Sequence, residues 1–321
     1  MAYGVFGVGV LLLLLGSEAL LHGGIGLTKS LGLPPLLIGL LVVTAATSAP
    51  ELAVALEAAR AQPDVTLGVV VGGNIVNILL VLGLGSLLRP LPSPPKVAFR
   101  DGGALLAASL ALVVISFEGT ITRRIGIMLV GGFVAYVVLT IATEWRRPVQ
   151  LSSTEVRANC RDGDRPAGLN FILTVLGAAL VFVGARFVIQ GGLAVGQIYN
   201  LPQPVVGLTV VALATALPEF VVTLLAFLRR YTDAAVSHVI VSNIFHILVV
   251  LGVVALIHPL PVKIDHADIY VMAGSALLLM PLMIMSWRLS RVNGVFLMLC
   301  YGAYIAFIGW RLGYVVVPHL G

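Results

Sequence analysis

Thr47-Ser48-Ala49-Pro50-Glu51 recurs 168 residues later as Thr215-Ala216-Leu217-Pro218-Glu219. Each copy sets a hydroxyl, a proline and a carboxylate within about one helical turn, inside an otherwise apolar segment. Proline removes a helix hydrogen bond and clashes with the carbonyl four residues earlier. That is expected to free carbonyls near Thr44, Ala45 and Ala46, and near Ala212, Leu213 and Ala214. A carboxylate placed in hydrocarbon costs at least about 2.5–3.5 kcal/mol, so Glu51 and Glu219 call for a function. Hydroxyl, carbonyl and carboxylate oxygens together suit a hard cation; calcium takes six to eight such ligands. Two copies can converge on one ion from opposite sides.

The repetition extends outward from these motifs. At the same offset Gly16 matches Gly184, Gly23-Gly24 matches Gly191-Gly192, Leu33-Pro34 matches Leu201-Pro202, and Gly39 matches Gly207. With one inserted residue, Asp64 then matches Asp233, Asn74 matches Asn243, and Pro90-Leu91-Pro92 matches Pro259-Leu260-Pro261. One register held over about 90 residues marks an internal duplication.

The medium follows from composition. Of 321 residues, 59% are hydrophobic and 10% charged, and mean hydropathy is +1.08. Soluble domains carry about 25% charged residues. The apolar segments lack the alternation of a β-barrel strand and reach the roughly 20 residues of a spanning helix. The expectation is an all-α polytopic membrane protein with ten helices, near 4–28, 34–60, 65–88, 102–118, 124–143, 168–192, 203–228, 233–257, 267–286 and 293–316. The polar stretch 144–167 divides it into a first five-helix half, 1–143, and a second, 168–321; the other loops are too short for a soluble domain. Five spans per half is an odd number, so the second copy enters the membrane inverted. Such inverted repeats build secondary transporters with the site at midplane.

Loop charges orient the chain. With the N-terminus outside, thirteen Lys and Arg lie on the inner side, five of them in the central linker, against five outside. The positive-inside rule therefore favours outer termini in a cytoplasmic membrane. The net charge of +5 reflects these loops and not nucleic-acid binding. Gly4 onward reads as a spanning helix and not a cleaved signal. Cys160 and Cys300 are too few for a disulfide framework. No cofactor or obligate protein partner is implied; the expected partners are cations and the lipid bilayer.

The helix after each Pro-Glu motif carries a second polar ring. Asn74 and Asn77 share a face in one half, as Asn243 and His246 do in the other. Glu18 and Arg186 occupy equivalent positions in the first helices of the two halves, where a charge pair across the pseudo-twofold is one expectation. Glu57 is expected near the outer end of its helix and His238 one turn inside the eighth. His-Glu-x-x-His is absent, and the seven aspartates fall in or beside predicted loops, which argues against intramembrane protease chemistry.

The paired stretches Val43–Leu82 and Ala212–Leu251 resemble the two α-repeats of the calcium/cation antiporter superfamily, most of all those of its prokaryotic sodium/calcium exchangers. The resemblance rests on Ala46-Thr47-Ser48-Ala49-Pro50-Glu51 with Gly72-Gly73-Asn74-Ile75-Val76-Asn77, and on their partners ending in Glu219 and His246. It implies ten helices, with the second, third, seventh and eighth surrounding four cation sites, and sliding of the first and sixth. It implies Glu51 and Glu219 as central carboxylates, and Thr47 and Thr215 as hydroxyl ligands. It further implies the Thr44 and Ala212 carbonyls as backbone ligands, Asn77 at midplane, and Ser48 and Ser242 at an inner sodium site. Asn74 and Asn243 form a supporting shell.

Three positions depart from the family pattern: His246 replaces an Asp, and Ala216 and Gly73 each replace a Ser. The two lost hydroxyls weaken a sodium site. His246 has three roles open to it: a neutral bystander, a protonated substitute for a cation with a reference pKa near 6.5, or a nitrogen ligand favouring manganese or zinc. The expected function is sodium/calcium antiport by alternating access over shared carboxylates. A proton/divalent (calcium or manganese) antiporter is the alternative, and a cation channel a more distant one.

Overall fold

A computed structural model describes residues 2–30, 44–144, 166–217, 219–220 and 232–313. The linker 144–167 apart from its first residue and its last two, Cys160, Leu33-Pro34, Gly39, Pro218, Arg229 and Arg230, and the inner part of each Pro-Glu segment, lie outside them.

The helices are α1 (Ala2–Ser30), α2 (Ala49–Ala61), α3 (Pro63–Leu88), α4 (Val97–Ser116), α5 (Arg123–Glu144), α6 (Ala167–Ile198), α7 (Gln203–Thr215), α8 (Val236–Ile257, with a first turn from Thr232), α9 (His266–Ile284) and α10 (Arg291–Arg311). A separate turn, Thr44–Thr47, precedes α2. Among the described residues, eight of these are long and apolar enough to cross a membrane; α2 and α7 are shorter as described.

The helices sort into a core and a periphery. Every residue of α3 from Val65 to Ile75 is buried, and α8 buries Val239, Ile240, Ile244 and Ile247 beside it. Leu11, Leu15, Met128, Val138 and Leu299, on α1, α5 and α10, are exposed. Apolar side chains facing outward on polar-poor helices are what lipid contact requires, since each backbone bond is made within its own helix. Both core helices widen to π-helical turns, at Val76–Val81 in α3 and His246–Val250 in α8. The two turns begin near the second polar residue of each ring, Asn77 and His246.

Four two-residue strands tie the halves together. β1 (Leu91–Pro92) follows α3 and pairs antiparallel with β4 (Arg288–Leu289), between α9 and α10. β3 (Leu260–Pro261) follows α8 and pairs with β2 (Thr120–Ile121), between α4 and α5. Since α4 runs from β1 to β2, the strand after α3 and the strand after α8 lie at opposite ends of α4.

Buried aspartates hold the ends of α4 and α9. The Tyr136 hydroxyl donates to Asp101 at 2.8 Å, with Arg100 Nε at 2.6 Å and the Ser237 hydroxyl at 3.3 Å. In the second half Tyr304 donates to Asp268 at 3.1 Å and Arg311 at 3.0 Å. Both carboxylates are fully buried, and both stand near the start of a helix, beside a loop as the sequence pattern suggests. They are helix-start residues closed over by a tyrosine from the next helix.

α1 and α6 pack antiparallel through glycines seven residues apart: Gly9, Gly16 and Gly23 against Gly177, Gly184 and Gly191. A Cβ on any of the six would lie 2.5–2.9 Å from a backbone nitrogen of the facing helix. Small residues permit this approach, and in lipid such close packing is a principal source of helix association. The same register corrects the expected Glu18–Arg186 pair. Gly9 faces Val188 and Gly16 faces Val181, so position 186 is level with position 11, about 10 Å along the helix from Glu18. Arg186 Nε instead lies 3.5 Å from Glu57 Oε2 on α2, and Glu18 lies 3.4 Å from His22 Nδ1.

Gly16→Val drives its side chain into the backbone of α6 and is expected to cost about 1–3 kcal/mol by overpacking, measured as a lowered Tm in detergent. Gly4→Ala, with nothing within 4 Å, should leave Tm unchanged; equal melting of the two variants would refute the glycine contact.

Candidate functional site

The two Pro-Glu motifs meet where α2 and the end of α7 cross α3 and α8. The Thr44–Thr47 turn ends at Ser48, and α2 restarts with Pro50 in its first turn and Glu51 beside it. The second copy repeats this: α7 ends at Thr215, Ala216 makes a turn, and Glu219 follows. A proline in a first turn costs the helix it begins no bond, because an N–H there would have no partner within that helix. Proline at this place therefore starts a new helix and gives the carboxylate a fixed origin.

Glu51, Glu219 and His246 are buried together, and one ligand atom from each lies within 4.8 Å of the others. Ligand atoms on one ion with bonds near 2.4 Å are at most about 4.8 Å apart, so a single ion can reach all three. His246 Nε2 is 3.6 Å from Glu219 Oε1, and its Nδ1 is 3.2 Å from Asn74 Oδ1. The Ser48 hydroxyl donates to Glu219 Oε1 at 3.1 Å and stands 3.2 Å from the Ser242 hydroxyl. Ser48 and Ser242 thus join the two halves at one carboxylate oxygen.

Many polar atoms here have no hydrogen-bond partner among the described residues: both oxygens of Glu51, Glu219 Oε2, both amide atoms of Asn77, Asn243 Oδ1 and His246 Nε2. Buried polar atoms are normally paired, and a cluster of unpaired oxygens demands a ligand. The converging donor set of two carboxylates and an imidazole fits a divalent cation as substrate. No other group of three acidic, His or Cys side chains among the described residues converges in this way.

The remaining expected residues are near but differently engaged. Thr47 and Thr215 hydroxyls donate back to the carbonyls of Thr44 and Ala212, each at 3.1 Å. Those carbonyls also accept from the backbone N–H of Ser48, at 2.9 Å, and Ala216, at 3.0 Å. Each carbonyl is therefore engaged twice and is not freed by the proline. By position, Pro50 instead leaves the Ala46 carbonyl without its usual donor. Asn74 and Asn243, matched in sequence, diverge. Asn74 supports His246 and donates to Met272 Sδ at 3.6 Å, whereas Asn243 donates to Val239 O at 2.6 Å in its own helix. Met272 was not legible as a site neighbour, because a methionine in an apolar helix carries no such signal. Gly73 leaves open space: a Cβ there would meet nothing nearer than His246 Nδ1 at 4.0 Å. His238 is buried, two turns before His246 on the same helix, and its Nε2 has no partner among the described residues.

Comparison with known proteins fits this arrangement. The family model for "Sodium/calcium exchanger protein" matches residues 1–142 and 169–310, one match per half. CaxA of Alkalimonas amylolytica is 32% identical over 95% of each chain. The sodium/calcium exchanger MaX1 of Methanosarcina acetivorans is 27% identical, covering 93% of this chain and 95% of its own. Among solved structures, the sodium-calcium exchanger NCX_Mj superposes with a TM-score of 0.67 at 26% identity, covering 95% of this chain and 98% of that one. With the paired carboxylates, the duplicated halves and the family match all in agreement, the chain belongs to the sodium/calcium exchanger family of membrane antiporters, within the calcium/cation antiporter superfamily.

Proposed function

We propose that this protein exports a divalent cation, calcium foremost, in exchange for sodium by alternating access. The observation that carries this reading is the meeting of Glu51 and Glu219, from matching places in the two halves, with three of their four oxygens unpaired among the described residues. Two buried ionised carboxylates placed this close repel, and a cation between them removes the repulsion while keeping both charged. An ion and its counter-ions competing for the same oxygens cannot be held together, which couples their fluxes. An empty, doubly charged site is costly to carry through the bilayer, which suppresses leak.

The architecture we propose is ten helices in two inverted repeats, 1–143 and 168–321, joined by a cytoplasmic linker, with both termini outside the cytoplasmic membrane. The reciprocal pairing of β1 with β4 and of β3 with β2 supports the inversion, since equivalent strands lie at opposite ends of α4. The charge bias of the loops supports the orientation. Thr47, Thr215, Ser48, Ser242 and Asn77 complete the site in this reading.

A second reading, proton/divalent antiport, is favoured by His246 standing where it faces Glu219. Calcium uptake into proteoliposomes under an imposed sodium gradient or an imposed pH gradient separates the two. Sodium-driven uptake is expected; uptake driven by pH alone would select the second reading, and passive flux with neither gradient would indicate a channel. Glu219→Gln is expected to abolish exchange, and an active variant would end the site assignment.

Asn77→Leu gives a sharper test of binding against folding. Both Asn77 amide atoms are buried and unpaired among the described residues, so an apolar replacement is expected to leave the fold unharmed or to stabilise it by about 1–3 kcal/mol. It should at the same time remove much of the calcium-induced rise in Tm. A variant that melts lower but keeps the full calcium response would contradict this.

A further inference from the structure

We infer that His246 is a nitrogen ligand in this site, making it a mixed nitrogen–oxygen centre that holds a manganese-class divalent ion more tightly than calcium. This rests on the proposed Glu51–Glu219 divalent-cation site, keeps the antiport reading, and moves the preferred divalent ion from calcium to the manganese class.

The orientation of one amide sets the tautomer of the ring. Asn74 Nδ2 points at Met272 Sδ, 3.6 Å away. Thioether sulfur only accepts hydrogen bonds, so the amide NH₂ belongs on that side and the carbonyl on the other. Asn74 Oδ1 then faces His246 Nδ1 at 3.2 Å. An amide oxygen can only accept, so Nδ1 carries the proton of the neutral ring. The lone pair is left on Nε2, which is buried, has no hydrogen-bond partner among the described residues, and converges with Glu51 and Glu219. Metal-bound histidines are commonly fixed in this way, with the far N–H donated to a carbonyl that sets ring orientation and raises basicity.

The 3.6 Å between His246 Nε2 and Glu219 Oε1 suits two ligands on one ion with bonds of about 2.2 Å, at an angle near 110°. Calcium has little use for imidazole, whereas first-row divalent ions accept it alongside carboxylates. The nearby serines do not compete for Nε2: the Ser48 hydroxyl is committed to Glu219. Gly73 adds no hydroxyl at this point of α3, where a side chain would have reached toward the ring. The opposite tautomer would put a proton on Nε2 facing Glu219 and leave no lone pair for an ion.

The test uses the purified full chain in detergent, with Mn²⁺ as probe and pulsed electron paramagnetic resonance as readout. Bound Mn²⁺ is expected to show hyperfine coupling to one imidazole nitrogen and to be displaced only by an excess of Ca²⁺. His246→Asp should abolish the nitrogen coupling and reverse the preference toward Ca²⁺. Asn74→Leu, which removes the orienting carbonyl, should weaken Mn²⁺ binding about 10–100-fold, while Asn74→Asp, which keeps an acceptor, should retain most of it. The wild-type spectrum is informative even where a variant fails to fold. Bound Mn²⁺ without nitrogen coupling, or binding of Ca²⁺ but not Mn²⁺, would overturn the inference and leave the carboxylate site intact. Binding of neither ion, or binding indifferent to Glu219→Gln, would overturn the site itself.

Discussion

Two carboxylates buried in the membrane core, Glu51 and Glu219, are held close enough to share an ion, and the rest of the molecule is arranged around that fact. An uncompensated pair of this kind opposes folding through desolvation and mutual repulsion. It persists because Glu51 is fixed in the first turn of α2 beside Pro50, and because the surrounding helices bury both carboxylates. In the antiport reading proposed above, the energy that burial withholds from the carboxylates is returned when a cation lies between them.

The supporting structure is uneven in a way that suits this task. Around the site the packing is tight and cross-linked: α3 is fully enclosed from Val65 to Ile75, and Ser48 and Ser242 join the halves at one oxygen. Two Tyr–Asp pairs lock the helices beside it, Tyr136 to Asp101 and Tyr304 to Asp268. By contrast α1 and α6 meet each other mainly through glycine backbones, and their outer faces are lipid-exposed. A smooth seam between two long helices offers few interlocking side chains. Arg186 and Glu57 provide an ionic tether from α6 to α2. Symmetry makes no counterpart of that tether, because Glu18 stands where the second half has Arg186.

The inward-facing polar residues also show how a duplicated sequence acquires asymmetric chemistry. Asn77 and His246 occupy matching places at the start of matching π-helical turns. One presents an amide with no partner among the described residues, and the other an imidazole steered by Asn74. Asn243, the copy of Asn74, bonds instead to its own helix. The substitution of one side chain on one half thus changes the character of the whole site without altering the backbone that carries it.

The sequence by itself determined the solvent, the duplication and the two glutamates. Hydropathy, the offset of 168 residues and the cost of a membrane carboxylate are properties of the chain in order and need no folded neighbour. The Pro-Glu motifs were legible because Pro and Glu are rare in such segments and recur in register. Only the tertiary structure decided which atoms face which. It moved the Arg186 contact from Glu18 to Glu57, because antiparallel packing sets the register between α1 and α6. It engaged the Thr44 and Ala212 carbonyls that a proline was expected to free, because proline in a first turn breaks no bond with them. It closed Tyr136 over Asp101 and Tyr304 over Asp268, and it turned His246 toward Glu219 through an amide whose own orientation depends on a methionine one helix away. The carbonyls are engaged within a turn of their own chain, but the other contacts join residues far apart in the sequence, and it is the packing of helices against one another, with one face chosen from many, that no local pattern encodes.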